Sequence, residues 1–285
     1  MEYWDAYNEN RKKLGYDLIR DVSVFKENEY HIVEEIWIIN SKGEILLTQR
    51  SKNKKSNPLK WECTAGSILK GETSYQGALR ELKEEIGLNL NLKDLIYFGN
   101  KVDKTHHAIV DKWVVRKDIN LSDLVFSDGE VQDAKYVTKE EFERMLENGE
   151  IRDIFYYMVN MYEKIVSVEQ RESYNFLGKE VNIIIDRKMG DSHPKYPDMI
   201  YPINYGYIPN TKSGDGKELD VFIIDSKIPL ETFKGKCIGI IQRINDEDDK
   251  LIVVDINNNK KYTEDEVLDI VNFQEKYFSS MVILI

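Results

Sequence analysis

Twenty-three residues, Gly66 to Leu88, constrain this chain more than any other part of it: GSILKGETSYQGALRELKEEIGL. Thr73 and Gln76 stand where a helix N-terminus is capped from both directions, and Gly87 stands where a left-handed residue ends a helix. Between them Tyr75, Ala78, Leu79, Leu82 and Ile86 recur at helical spacing, so one side of the helix can pack on a sheet. At about 100° per residue, Glu81, Glu84 and Glu85 fall within one adjoining arc of about 100°. Three clustered carboxylates repel one another unless a cation neutralises them. Hard oxygen ligands suit Mg²⁺, with Mn²⁺ as a substitute, and water completes the coordination. Such a metal would screen a diphosphate's charge, orient it and acidify an attacking water. Arg80 lies one turn before Glu84 and can hold a carboxylate through its planar fork, with Glu72 as a second partner. A Glu-rich helix face is ordinarily just solvated, but the glycines at both ends and the spacing of the whole segment argue for a built site.

The segment fits the pattern G-x5-E-x7-R-E-U-x-E-E-x-G-U, with U apolar, at Gly66, Glu72, Arg80, Glu81, Leu82, Glu84, Glu85, Gly87 and Leu88. Seven fixed identities at about one in twenty each make a chance match roughly one in a billion per start position. On these residues the chain resembles the Nudix hydrolases over about residues 1–165. The resemblance implies an α/β/α sandwich around a mixed sheet, and metals bound by Glu81, Glu84 and Glu85. Glu130, in Gly129-Glu130-Val131, resembles a late acidic residue that supplies an extra ligand or a base. The opening residues and Tyr30-His31 also resemble a branch related to isopentenyl-diphosphate isomerases. Those place a catalytic cysteine at a position that, counted from Trp61, is Gly66 here. The cysteine present is Cys63, which reads better as a small buried residue, so hydrolysis is favoured over isomerisation. A non-catalytic sensor of phosphorylated ligands is the other rival, and the intact acidic triad argues against it.

Along the chain, apolar runs at Tyr30–Asn40 and Glu44–Gln49 flank the turn Asn40-Ser41-Lys42-Gly43 and read as a hairpin. Further strands are expected at Leu95–Phe98, Ala108–Val115 and Ala134–Val137. Thr138 and Glu141 have capping-box spacing for a helix ending near Gly149, and Ile151–Val166 reads as one more helix. Polar residues 167–175 mark a boundary, dividing the chain into 1–166 and 167–285. Strand-like runs resume at Val181–Ile185, Asp220–Ile224, Cys237–Gln242 and Leu251–Val254, separated by turn residues, which favours a small barrel. Thr263 and Glu266 then open a closing helix to about Tyr277.

This second half resembles the family I inorganic pyrophosphatases, through Ile185-Asp186-Arg187, the run Tyr201 to Pro209 (YPINYGYIP), Asp215 to Asp220 (DGKELD) and Asn245 to Leu251 (NDEDDKL). That resemblance implies an OB-like barrel with metals at Asp215, Asp220, Asp246 and Asp248, and phosphate contacts from Tyr205, Lys250 and Arg187. Lys217 stands where the family pattern has its middle aspartate, a change of two charge units. Phe278 follows Tyr277 where a phosphate-holding lysine is expected. A working pyrophosphatase and a retained, inactive barrel are both compatible with this pattern.

Composition sets outer limits. The 285 residues suffice for two modest cores, and a net charge of -11 disfavours nucleic-acid backbones while leaving a small phosphorylated substrate open. Two distant cysteines, no signal-like N-terminus and no apolar run near ~20 residues predict a cytoplasmic protein without membrane spans. A homo-oligomer stays open.

Overall fold

The computed structural model describes residues 1–127, 129–244 and 246–285. The chain divides into two compact units, Met1–Glu169 and Gln170–Ile285.

The first unit opens with an antiparallel hairpin, β1 (Tyr3–Tyr7) and β2 (Lys13–Ile19). Next come β3 (His31–Ile39), β4 (Ile45–Arg50), β5 (Trp61–Glu62), β6 (Thr64–Ser67) and helix α1 (Ser74–Ile86). Then follow β7 (Ile96–Asp103), β8 (Ala108–Arg116), β9 (Val131–Val137), α2 (Lys139–Glu147) and α3 (Met158–Ser167). The sheet runs β5-β4-β3-β8-β7, with β6 also on β3 and β9 on β4; β3 and β8 are parallel, so the sheet is mixed. The expected β3–β4 hairpin forms, its turn closed by Asn40, whose Oδ1 accepts from the amides of Lys42 (3.0 Å) and Glu44 (2.9 Å).

Because strand side chains alternate, the two faces of β3 bury different things. Trp37 and Ile39 join Leu47, Val114, Phe142, Met145, Met158 and Ile165 in a core beneath α2 and α3. The even-numbered residues face α1, whose Ser74 hydroxyl accepts from the Trp113 indole at 3.0 Å. The result is an α/β/α sandwich.

Two expectations need correction. The helix expected over residues 151–166 is shorter: Ile151 bridges to Trp61, and the Arg152 amide donates to the Trp61 carbonyl (3.2 Å). Backbone groups committed to that bridge cannot start a helical ladder, Asp153–Phe155 then make only a 3-10 turn, and α3 begins at Met158, with Ile154 41% exposed. The Thr138 cap forms in one direction only. Its hydroxyl accepts from the Glu141 amide at 3.3 Å, while the Glu141 carboxylate takes Lys135 (3.0 Å) and Arg144 (3.7 Å).

The second unit comprises β10 (Glu180–Arg187), β11 (Asn204–Ile208), β12 (Leu219–Ile223), β13 (Thr232–Arg243), β14 (Lys250–Asp255), α4 (Glu264–Glu275) and β15 (Ser280–Leu284). The order β10-β11-β12-β14-β13 closes because β10 pairs with β13 as well, and β15 extends β13. A five-stranded barrel results. Its core of Tyr205, Phe222, Ile241, Ile252 and Val254 is capped by Val267 and Val271 of α4, whose Thr263–Glu266 capping box forms as expected. Gly206 is demanded by close approach: a Cβ there would lie 2.1 Å from the Ile184 carbonyl oxygen. Among the described residues, no helix is long and apolar enough to cross a membrane.

Candidate active site

Helix α1 is fixed at both ends. The Thr73 hydroxyl accepts from the Gln76 amide (3.3 Å), and the Gln76 side chain accepts from the Thr73 amide (2.9 Å). Gly87 takes a left-handed φ of 74°, and its amide bonds back to Lys83 at 3.1 Å. Tyr75, Ala78, Leu82 and Ile86 are buried, which leaves the carboxylates beside the packed face.

Arg80 is the centre of the arrangement. Its Nε and Nη2 hold Glu72 in a fork (2.9 and 3.1 Å), and Nη2 also reaches the Ser67 carbonyl (3.0 Å). Nη1 takes Glu81 at 2.5 Å and Glu84 at 3.0 Å. Glu72 in turn accepts from the Leu69 amide at 3.0 Å, tying the loop to the helix. The acids are graded in exposure: the Glu84 side chain is 52% exposed and that of Glu81 14%, while Glu85 is buried. Burial lifts the Glu81 carboxyl above its ordinary range against the pull of Arg80. Gly66 has a steric reason, since a Cβ there would lie 2.1 Å from the Glu81 carboxyl carbon.

Glu130 ion-pairs with Lys54 and lies close enough to raise Glu81 electrostatically. Two residues near this helix escaped the sequence reading. Glu34 is wholly buried, with neither carboxylate oxygen hydrogen-bonded among the described residues. Asp111, its neighbour in register on β8, receives both Arg11 nitrogens at 2.5 and 2.6 Å. For Glu34 the available signal was Glu34-Glu35, two acids inside the otherwise apolar run 32–39.

With Arg80 bound to both Glu81 and Glu84, no three acidic, His or Cys side chains converge as a ligand set among the described residues. The donor chemistry nevertheless fits a hard divalent cation: all-oxygen, acidic, and containing an orphaned buried carboxylate. Cys63 is fully buried, and burial pushes its thiol well above the usual range, opposite to what a thiolate nucleophile needs.

In the second unit, Tyr205 and Lys250 both donate to Asp220, and Lys250 also donates to Asp248. Arg243, absent from the sequence reading, bonds Asp248 (3.1 Å) and Asp246 (3.4 Å) and forks onto Glu275 (3.2 and 2.8 Å). Its guanidinium stacks 3.4 Å over Phe278, which gives the expected lysine position a different use. Lys217 pairs with Asp215 at 3.3 Å. Arg187 does not join the cluster; it bonds the carboxylate (2.5 Å) and carbonyl (2.7 Å) of Asp186. Asn245, the first residue of the acidic segment, lies outside the described residues. Each of the four aspartates thus already holds a lysine or arginine, an arrangement that does not fit a cluster of divalent ions as it stands.

The comparisons with known proteins divide the chain in the same way. The NUDIX domain profile matches residues 30–157, and the inorganic pyrophosphatase profile matches residues 163–282. An uncharacterized Nudix hydrolase of Listeria monocytogenes is 40% identical over 160 residues, spanning 55% of this chain and 91% of that protein. An inorganic pyrophosphatase of Saccharolobus solfataricus is 33% identical over 89 residues, 30% of this chain and 48% of that protein. The isopentenyl-diphosphate Delta-isomerase of Escherichia coli is 29% identical over 110 residues, 37% of this chain and 60% of that protein. Both matched families generally use divalent metals. The chain therefore belongs to the Nudix hydrolase family, with an inorganic pyrophosphatase domain fused behind its Nudix domain.

Proposed function

We propose that the first unit hydrolyses, with Mg²⁺, a nucleoside diphosphate linked to another moiety or a similar organic diphosphate. The observation that carries this reading is the single guanidinium of Arg80 joining Glu72, in the loop ahead of α1, to Glu81 and Glu84 on a helix capped at both ends. Glu81, Glu84 and Glu85 would hold the metal, and the metal would screen the diphosphate and activate a water. Arg80 and Glu72 position these acids, and Glu130 stands by as a further ligand or base. The net charge of -11 agrees with a small substrate carried on metal rather than a nucleic-acid polymer.

Purified protein should be screened against nucleotides and organic diphosphates, with phosphate and pyrophosphate measured separately. Metal-dependent cleavage inside a diphosphate is the expected result; binding without turnover across the panel would favour a sensor. The isomerase rival is tested at Cys63. Both cysteines are buried, so iodoacetamide should leave the native protein unmodified and fully active. Inactivation in step with Cys63 alkylation would favour isomerase-like chemistry instead.

A nucleoside triphosphate cut to its monophosphate releases pyrophosphate, the substrate class of the second domain's family. A coupled enzyme would convert that product to orthophosphate. The arginine and lysine on every candidate ligand of the second unit support slow conversion, so pyrophosphate should accumulate as the main inorganic product.

A further inference from the structure

Glu34 sits in β3 with its side chain wholly buried, and neither oxygen has a hydrogen-bond partner among the described residues. A buried carboxylate is expected to be paired. The nearby cations are committed elsewhere: Arg11 takes both oxygens of Asp111, and Arg80 takes Glu72, Glu81 and Glu84. A proton on one oxygen would still leave the other a buried acceptor without a donor.

Two glycines show where this carboxylate points. Glu34 is in register with Gly66 across β3 and β6, so both residues face α1. On that face the missing Cβ of Gly66 is replaced by Glu81, whose carboxyl carbon and Oε1 both lie 2.1 Å from where the Cβ would be. From the helix, a Cβ on Gly77 would come 3.0 Å from Glu34 Oε1 and 3.4 Å from its carboxyl carbon. Gly77 and Glu81 are one turn apart on the same helix face. Gly77 is not fixed by the sequence pattern, yet it provides the room that Glu34 occupies. Two acids therefore meet beneath the helix, and Glu81 is the principal charge acting on Glu34.

We propose that Glu34 is a further oxygen ligand, reaching from the sheet beneath α1 to a divalent cation held with Glu81. This rests on the reading of α1 as the metal-binding helix. A hard cation of the Mg²⁺ class satisfies both the orphaned oxygens and the Glu34–Glu81 repulsion, which no side chain described here does.

The test uses the full chain and Mn²⁺, followed by isothermal titration and by electron paramagnetic resonance of free Mn²⁺. The Nudix-domain event is identified as the one lost in Glu84→Gln. Glu34→Gln should weaken that event at least about tenfold. Glu34→Leu should melt several degrees higher than wild type without metal, because the unpaired acid is gone, and should lose the Mn²⁺-induced rise in Tm. A residue that only supports the fold would give a lower metal-free Tm. Mn²⁺ affinity within twofold of wild type in Glu34→Gln, with the Glu84-dependent event intact, overturns the proposal alone. If no binding event depends on Glu84, the metal reading of the helix falls first and this one with it.

Discussion

Glu84→Gln and Glu85→Gln are each expected to lower turnover at saturating Mg²⁺ by at least about a hundredfold, with the fold intact. That loss corresponds to about 2.7 kcal/mol of transition-state stabilisation. The structural part of the effect is far smaller for Glu84. Its side chain is 52% exposed and its ion pair is an i,i+4 contact with Arg80. Such pairs contribute about 0.3–0.5 kcal/mol, too little to explain a hundredfold change through unfolding. Glu85 is buried, so its near-isosteric amide is compared with wild type by circular dichroism and melting before kinetics are read. Arg80 keeps Glu72 and Glu81 in either variant, which holds the loop and helix in place. Full activity in both variants would remove this helix from the chemistry.

That such a prediction can be made from the sequence reflects how local the Nudix helix is. Its caps, apolar face, acids and Arg80 partners all fall within Gly66–Leu88, where helical periodicity converts spacing directly into geometry. Strands β3 and β4 were legible for the same reason, being apolar runs around a glycine turn. The N-terminal hairpin was not, because β2 is mostly exposed and is anchored by few residues, chiefly Leu18 beside Trp4 and Ala6. In β11, the sequence NYGYI hides its strand character behind Gly206, whose purpose is contact with Ile184 on another strand. Pairings between distant residues were also out of reach. Arg11 and Asp111 are 100 positions apart, and Arg243 and Glu275 are 32 apart. Lys217 drew attention because it interrupts a pattern, whereas Arg243 interrupts nothing visible in one sequence.

That last contrast decides what to expect of the second domain. In a chain whose Nudix helix is disabled by Glu84→Gln, pyrophosphate should be hydrolysed at no more than about 1 s⁻¹, well below the roughly 100 s⁻¹ of an efficient enzyme. Lys217 is the weaker obstacle. Its side chain is 83% exposed, and its 3.3 Å pair with Asp215 is of the surface kind. Surface pairs are worth about 0–1 kcal/mol, so an incoming cation could displace the ammonium, and Lys217→Asp should change turnover less than about tenfold. Arg243 is different. Its side chain is 3% exposed and forks onto Glu275, 2% exposed, while its other nitrogen holds Asp248 and Asp246. Removing one partner of a buried pair typically costs about 3–5 kcal/mol. Arg243→Met should therefore destabilise the second unit by that order, seen as a lower denaturant midpoint, because Glu275 is left buried without its partner. Metal ions would have to draw Asp246 and Asp248 away from a guanidinium that Glu275 and Phe278 keep in place. Turnover near 100 s⁻¹ in the Glu84→Gln chain would sink this argument, since it would require those ion pairs to open readily in the presence of Mg²⁺.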